Sequence, residues 1–428
     1  MLAEKWLDFE QFVRRIMTRE DIPGVAIAVS KKGEIIYQKG FGFGDIQTRE
    51  AISPTTIFGT ASVTKSFTAA AILKLEKEGR LSVDDPVIEY LPQFRLRQLE
   101  DRDSVKIHHL LSHTTGVPPM RRREEILKID DHLDYLAAEE FELLGRPGEY
   151  FSYCNDTFLL LGGIIERLTG QLTRRYITQH LLHPLQMNRS TFSLEELAKL
   201  DQVTVPYVKN AITHQIEEVP WPTLGVYEVG GGVRSNVLDL LKYGHMYFQD
   251  RYLDKMWQPV HRVARNAFYG YALRSTPDYG GVTLVKHGGG QPGVSSCFGF
   301  VPEEDLVVAV LTNLSHVPAE QLWLAAVNTA LGLPLEQKEN IEPDYDASLE
   351  ELQRMIGIYR SAEGGHVRIF LDGKSPKAEI DQREFTLRSS DSSTLVLKEN
   401  EEPIRFFFKQ ADQAWALMHG SRMLTRAE

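Results

Sequence analysis

A serine and a lysine three residues apart, Ser62 and Lys65, are the residues of this sequence best placed to do chemistry. They begin a segment, residues 60–80, whose apolar side chains recur at helical intervals, so both are predicted to share one helix face. A serine hydroxyl becomes a good nucleophile only when a base accepts its proton. The positive end of the helix dipole and burial would both disfavour a lysine ammonium. The pair predicts a nucleophile with its base, and the bland alternative is an amphipathic helix with Ser62 as its N-cap.

A second group of reactive side chains is Tyr153-Cys154-Asn155, which precedes a helical pattern over residues 156–168 that Gly170 closes. A phenol can give or take a proton, and an amide can orient a polar substrate. The alternatives are structural, since Asn155 is a good N-cap type and Tyr153 could be a core phenol.

A third feature is a histidine followed by glycines, His287 to Gly290, after the strand-like run 282–286. Glycines in a strand mark the close approach of a ligand or of another backbone, or else a bulge. This stretch is therefore predicted to border either a site or a turn.

In this order, the three motifs resemble those of the serine β-lactamases and penicillin-binding proteins. The closest branch is that of the class C β-lactamases, D-aminopeptidases and esterases. That group carries S-x-x-K, Y-x-N and K/H-x-G, which here read Ser62–Lys65, Tyr153–Asn155 and His287–Gly289. The resemblance covers residues 5–335, with further matching stretches at residues 110–117, 147–148, 184–187, 230–235 and 270–271.

The resemblance implies a serine hydrolase that forms an acyl-enzyme on a small peptide, amide or ester, of D-aminopeptidase, carboxypeptidase or esterase type. Ser62 would attack the carbonyl, Lys65 or Tyr153 would take the proton, and Tyr153 would protonate the leaving group. The Ser62 and Gly290 N–H groups would form the oxyanion hole. Asn155 would bind the substrate amide or steady Lys65, and no cofactor would be needed.

Two positions depart from the resembled group: Gln186 replaces a common glycine, and His287 replaces the lysine common in β-lactamases. A histidine is only partly charged near neutral pH, so a fixed cation for a substrate carboxylate is missing. This favours a peptidase, amidase or esterase over a dedicated β-lactamase. His287 would orient Tyr153 or receive a polar group of the substrate. If it acts in its neutral form, activity should fall below about pH 6.

The alternative from a different functional class is a penicillin-binding or sensor-like protein that is acylated but turns over slowly or not at all. The substrate itself is left open, because loops decide it. Residues 118–140 and 221–227 are expected to line the cleft.

The pattern of strand-like and helical runs around these residues predicts an α/β fold. Strand-like runs at residues 25–39 and 282–312 enclose a mostly helical middle, and a helix follows over residues 319–331. This order predicts one antiparallel sheet built from both ends of the region, with helices on its faces. The resemblance implies the β-lactamase/transpeptidase-like fold, in which an all-helical lobe joins this sheet and the active site lies between them.

The sequence pattern changes after residue 335, from long helical runs to a polar segment and then short strand-like runs. We predict a hydrolase domain over residues 1–335, a polar linker over 336–347 and a second domain over 348–428. Six short strand-like runs in the last segment predict a small antiparallel β-barrel, which resembles the lipocalin-like appendage of some members of the group. We interpret it first as a packing or oligomerisation module and second as a cover for the cleft.

Composition agrees with an enzyme that acts on a small-molecule or peptide substrate. The 428 residues are 42% hydrophobic, and a net charge of −11 argues against nucleic acid as a partner. Two cysteines indicate no disulfide framework. The sequence shows neither a secretory signal nor a run of about 18 apolar residues that would span a membrane. These features predict a cytoplasmic protein, with export of a longer precursor and homo-oligomer formation left open.

Other reactive residues carry weaker hypotheses. His109 and His113 have metal-ligand spacing on a helix, but no acidic ligand accompanies them, so zinc is disfavoured. Cys154 lacks an activating neighbour. The run Gly293-Val294-Ser295 only half-matches the nucleophile elbow, because Cys297 occupies the position of the second glycine. The run Arg121 to Glu125 is interpreted as a solvated helix start.

Overall fold

The computed structural model describes residues 2–409 and 413–427. Its helices, numbered along the chain, are α1 (Leu2–Glu20), α2 (Thr64–Lys77), α3 (Val87–Tyr90), α4 (Ile107–Leu111), α5 (Ile129–Ala138), α6 (Asn155–Phe158), α7 (Leu160–Thr169), α8 (Thr173–Ile177), α9 (Leu194–Leu197), α10 (Glu228–Gly231), α11 (Val237–Gln249), α12 (Ala319–Leu331) and α13 (Leu349–Met355). Tighter 3₁₀ turns include Ala61–Val63 and Gly225–Tyr227. No helix in these ranges is long and apolar enough to cross a bilayer.

The strands fall into two large assemblies. The first contains β1 (Gly24–Lys31), β2 (Glu34–Asp45), β3 (Glu50–Ala51), β8 (His261–Ala264), β9 (Ala267–Tyr269), β10 (Arg274–Tyr279), β11 (Val282–Gln291), β12 (Val294–Val301) and β13 (Leu306–Thr312). The second contains β14 (Gly357–Arg360), β15 (His366–Asp372), β16 (Ser375–Ile380), β17 (Arg383–Asp391), β18 (Thr394–Leu397), β19 (Pro403–Phe408), β20 (Ala414–His419) and β21 (Arg422–Arg426). Two small pairs join β4 (Phe58–Gly59) to β7 (Arg234–Ser235), and β5 (Tyr207–Lys209) to β6 (Ile216–Glu218).

The first assembly is a nine-stranded sheet in the order β3-β2-β1-β13-β12-β11-β10-β9-β8. Strands β1 and β13 pair antiparallel, with Ala28 opposite Ala309, so the two distant strand regions form one sheet. Alternate side chains of β1 face opposite sides. Val25 and Ile27 pack with α1 and α12, whereas Ala26 and Ala28 pack in the core that contains α2 and α11. The predicted sheet with helices on both faces is confirmed.

The site is positioned where this sheet meets the helical region. Helix α2 is buried along most of its length, from Thr64 to Leu73. The 3₁₀ turn that precedes α2 contacts β11 and β12, and α2 itself contacts α10. A buried helix whose start lies against a strand edge can present two side chains to a cleft between sheet and lobe.

The second assembly is the predicted antiparallel barrel, closed by eight strands. Six of them match the sequence expectation, and β14 and β21 close the barrel through the pair Tyr359 and Arg426. Leu352 and Met355 of α13 pack into its apolar core. The fold is therefore an antiparallel sheet flanked by helices with an added β-barrel, and the exact domain limits stay a prediction.

The segment between the assemblies is anchored on both sides. Lys286 of β11 is buried and donates to Glu339 Oε2 at 2.6 Å, and its ammonium also lies 2.9 Å from Glu320 Oε2. Farther along, Ser390 of β17 donates to Glu342 at 3.0 Å. The residues predicted as a linker are thus held by ionic and polar contacts.

Candidate active site

Ser62 lies in the 3₁₀ turn that precedes α2, at the end of a strained backbone segment. The residue before it, Ala61, has φ of +47°, a left-handed conformation that residues with a Cβ rarely adopt. The turn is held because Ser296 Oγ donates to Thr60 O at 2.7 Å, and Thr60 Oγ1 donates to Val233 O at 2.9 Å. The N-cap of α2 is Val63, so the alternative that Ser62 caps this helix is wrong.

Lys65 lies in the first turn of α2 and is almost fully buried, with 1% of its surface exposed. Its Nζ is 3.3 Å from Ser62 Oγ and donates to Gly230 O at 3.1 Å. Burial lowers the pKa of Lys65 well below its ordinary value, and the nearby Arg122 and Arg422 cations lower it further. A buried lysine of reduced basicity in contact with a serine hydroxyl is able to accept its proton.

Tyr153 lies beside Lys65, whose Nζ is 5.1 Å from the centre of the phenol ring. Burial raises the pKa of Tyr153 to about 12, although the Arg422 cation and the Ser62 hydroxyl each lower it. The buried hydroxyl accepts or donates no hydrogen bond within the described structure. Arg422 stacks on the ring, with Cζ 4.5 Å from its centre. Near neutral pH this phenol therefore keeps its proton and is available to give it.

Asn155 is the first residue of α6, and its side chain does not cap that helix, whose N-cap is Cys154. The N-cap alternative for Asn155 is wrong. Its Nδ2 donates to Glu363 Oε1 at 3.1 Å, and Arg422 Nε donates to Glu363 Oε2 at 3.0 Å. Both of these partners belong to the barrel region. The carboxylate fixes which end of the Asn155 amide faces the barrel, so the amide oxygen faces away from it.

His287 is buried on β11, and both of its ring nitrogens have partners. Nδ1 is 2.5 Å from Gly288 O, and Nε2 is 3.1 Å from the Tyr269 hydroxyl. A backbone carbonyl can only accept, so Nδ1 carries the hydrogen and Nε2 accepts from Tyr269. Burial lowers the pKa of His287 to about 4, assisted by Lys65. The centroids of the His287 and Tyr153 rings are 6.1 Å apart.

The glycines after His287 differ in their surroundings. A Cβ on Gly289 would collide with Ser296 Oγ and with Thr60 O, which hold the turn of Ser62. A Cβ on Gly290 would meet no described atom within 4 Å. Gly289 therefore lets the strand approach the turn that contains Ser62, and Gly290 leaves open space at the cleft.

A cavity brings together four of the six predicted site residues. Its lining consists of Ser62, Lys65, Arg122, Asn155, Leu159, Tyr227, Gly230, Gly231, Gly290 and Gln291. Tyr153 and His287 are not part of this lining. Arg122 and Tyr227 come from the two loops that were expected to line the cleft.

Arg122 is the residue whose interpretation from sequence was wrong. Residues 121–128 contain no helix, and α5 begins only at Ile129. Instead of extending into solvent, the Arg122 guanidinium stacks on Tyr227, with Cζ 4.9 Å from the ring centre. Its Nη2 donates to Glu124 at 2.6 Å, and its buried Nε has no partner among the described residues. The sequence of three consecutive arginines does not indicate which of them lines the cavity.

The barrel region also contacts the backbone next to the candidate acid. Tyr153 N donates to Ser421 O at 2.8 Å, and Met423 N donates to Ser152 Oγ at 3.2 Å. Apolar side chains of both regions share one buried cluster around these bonds. The barrel is thus more than a remote packing module, because it supplies Glu363 and Arg422 to the surroundings of the site.

The weaker hypotheses find structural explanations. His113 Nδ1 accepts from Cys154 N at 3.3 Å, and its ring packs on Tyr153 with centroids 4.1 Å apart. His109 Nδ1 accepts from Lys106 N at 3.0 Å. Burial raises the pKa of the Cys154 thiol to about 12, so a thiolate nucleophile is disfavoured there. Across the described ranges, no group of three or more metal-ligating side chains is found.

Comparison with known proteins identifies the family. The Beta-lactamase family model matches residues 9–331. Protein flp of Staphylococcus aureus (strain MW2) is 36% identical over 188 residues, or 43% of this chain, and the chain covers only 37% of the length of that relative. Penicillin-binding protein 4* of Bacillus subtilis (strain 168) is 24% identical over 382 residues, which is 83% of both chains.

A solved structure matches nearly the whole chain. The octameric penicillin-binding protein homologue from Pyrococcus abyssi is 29% identical, with a TM-score of 0.74 over 98% of this chain and 99% of that one. The match includes the barrel as well as the sheet and helices. The family model, the motif order and this fold agree, and the chain belongs to the Beta-lactamase family.

Proposed function

We propose that this protein hydrolyses a small peptide, amide or ester through an acyl-enzyme on Ser62. The class is that of the D-aminopeptidases, carboxypeptidases and esterases of the family. The observation that supports this most is the contact between Ser62 Oγ and the buried Lys65 amine at 3.3 Å, since it pairs an alcohol with a base of reduced pKa.

Lys65 is the general base in this proposal, and Tyr153 is the general acid. Lys65 is adjacent to the serine hydroxyl and its neutral form is favoured by burial. Tyr153 has a raised pKa of about 12, so it is a poor proton acceptor but retains a proton for the leaving group. Acid–base help of this kind contributes about 10²–10⁴-fold to a rate.

Two backbone N–H groups and two further side chains complete the proposed site. The Ser62 and Gly290 N–H groups bind the developing oxyanion, and losing one such donor typically costs about 3–4 kcal/mol. The Asn155 amide oxygen accepts from the substrate N–H, which is supported by the engagement of Nδ2 with Glu363. Water then releases the acyl group. His287 positions Tyr269 and β11 in this proposal, because both of its ring nitrogens already have partners.

The proposal extends to assembly. The homologue from Pyrococcus abyssi is described as octameric and aligns with this chain through the barrel. This supports a homo-oligomer here as well.

Covalent labelling tests the nucleophile directly. A fluorophosphonate or β-lactam probe should add its mass to the peptide that contains Ser62, and Ser62→Ala should abolish the adduct. Ser66→Ala is the matched control, because this serine lies one turn farther along α2 and donates to Val63 O at 2.8 Å. Folded wild-type protein that stays unlabelled would contradict the proposal. A stable adduct without product release would assign the chain to the acylated, slow-turnover alternative.

A further inference from the structure

Arg122 places a cation in the lining of the proposed catalytic cavity, beside Asn155 and Gly231. An arginine presents five N–H donors in a planar fork. One of them reaches Glu124, and the buried Nε is unpartnered among the described residues. A buried donor without an acceptor costs free energy. The side chain is still 33% exposed, so its guanidinium can meet an acceptor oxygen of a substrate in this cavity.

The Tyr227 ring fixes the orientation of this guanidinium. The guanidinium stacks on Tyr227 at 4.9 Å, and the Tyr227 hydroxyl donates to Asp156 Oδ1 at 2.5 Å. Asp156 belongs to α6, directly after Asn155, so the arginine and the amide are held by one connected set of contacts. A planar, pre-oriented guanidinium matches a carboxylate better than a flexible lysine would.

The charges around the cavity favour an anion. Arg122 faces Lys65 closely enough to lower its pKa, and Arg422 does the same from the barrel side. Glu363 is engaged by Arg422 and Asn155, and Asp156 by Tyr227. Glu124, the partner of Arg122, is 39% exposed and therefore screened by solvent.

We infer that Arg122 binds a carboxylate on the acyl part of the substrate, so the preferred substrates are half-esters of dicarboxylic acids and amides of acidic amino acids. This inference rests on the proposed function. Arg122 and Ser62 line the same cavity. The acyl part stays bonded to Ser62 in the acyl-enzyme, so we place its carboxylate against the arginine. This cation also replaces the one that the histidine at position 287 does not provide.

A matched pair of substrates tests the inference. The p-nitrophenyl half-ester of glutaric acid and p-nitrophenyl valerate share a leaving group and chain length but differ in the terminal carboxylate. Wild type should show the higher kcat/KM for the glutarate. In Arg122→Gln the glutarate-to-valerate ratio of kcat/KM should fall at least about tenfold, as expected when a charged hydrogen bond is lost. The ratio cancels any change in Lys65 that affects both substrates.

The neighbouring arginine provides the control. Arg123 pairs with Glu125 and stacks on Tyr135 at 5.3 Å, which mirrors the contacts of Arg122 outside the cavity. Arg123→Gln should leave the ratio unchanged, and Arg122→Lys, which keeps the charge, should retain part of it. An unchanged ratio in Arg122→Gln, or an equal fall in Arg123→Gln, would overturn the inference. A different result would contradict the proposed function itself: hydrolysis of p-nitrophenyl valerate would then persist in Ser62→Ala.

Discussion

At the scale of single residues, burial determines which member of the candidate triad carries a proton. It lowers the pKa of Lys65 and raises that of Tyr153, so both groups are driven to their neutral forms. Nothing in the motif letters alone distinguishes a lysine base from a tyrosine base. The distinction requires the distance to Ser62 and the nearby arginines, which only the folded chain provides.

His287 carries a prediction about pH. The sequence predicts that activity falls below about pH 6 if His287 acts in its neutral form. Because burial lowers the pKa of His287 to about 4, the neutral form persists down to that value and the charged form appears only below it. His287→Gln should therefore show the same pH dependence of kcat/KM as wild type between pH 5 and 8, including any fall on the acid side. The measurement is the pH profile of a neutral ester for both proteins.

We expect Asp156 to titrate in that interval, because burial raises its pKa to about 6. Burial lowers the pKa of Lys65, and the Asp156 carboxylate opposes that lowering, so its protonation affects the proposed base. A limb near pH 6 that disappears in His287→Gln would show that the histidine titrates there after all. A limb that moves in Asp156→Asn would instead be the expected behaviour.

At the scale of elements, two turns of the barrel complete the candidate site. Glu363 lies between β14 and β15, and Arg422 begins β21. Neither turn carries a recognisable motif, and their contacts join residues more than two hundred positions apart. Hydrophobic periodicity predicted six barrel strands, but it holds no information on which end of a barrel docks against which loop.

Glu363 gives the test at this scale. Removing the carboxylate in Glu363→Ala leaves Asn155 Nδ2 without its acceptor and releases Arg422 from its partner. We expect kcat/KM for an amide substrate to fall about tenfold or more, because hydrogen bonds to charged groups are worth about 1.5–3 kcal/mol. Glu363→Gln, which keeps an oxygen acceptor, should lose less. Steady-state kinetics on an anilide substrate provides the measurement.

An ion pair elsewhere on the barrel is the matched control. Glu379 lies 3.5 Å from Arg368 on β15 and β16, and both side chains are at least one-third exposed. Glu379→Ala should leave kcat/KM unchanged. If Glu363→Ala raised activity, the carboxylate would be blocking a substrate position instead of orienting the amide.

At the scale of the whole molecule, much of the fold was predictable because it follows local patterns. Helix α12 has the predicted limits, and β11 to β13 follow from short apolar runs with a clear turn between them. The candidate nucleophile, base and phenol were found from motif order. Arg122, Glu363 and Arg422 were not, because their roles depend on tertiary contacts that no spacing encodes.

The buried ionic anchor of the connecting segment gives a stability prediction. Glu339 is 12% exposed and holds the buried Lys286. Removing one partner of a buried pair typically costs about 3–5 kcal/mol, and because Glu320 remains we expect about 3 kcal/mol for Glu339→Ala. Glu336→Ala removes the exposed pair with Arg15 and should cost less than about 1 kcal/mol. Urea denaturation followed by tryptophan fluorescence compares them, and equal midpoints would contradict the anchor.

The bond between Met423 and Ser152 links positions separated by 271 residues, next to the phenol of the candidate site. Contacts between such distant parts of a chain form late, because a large loss of chain entropy precedes them. The sheet with its helices and the barrel can each acquire their own cores before this junction closes. Refolding protein should consequently regain its secondary structure earlier than its catalytic competence, with docking of the barrel as the last event.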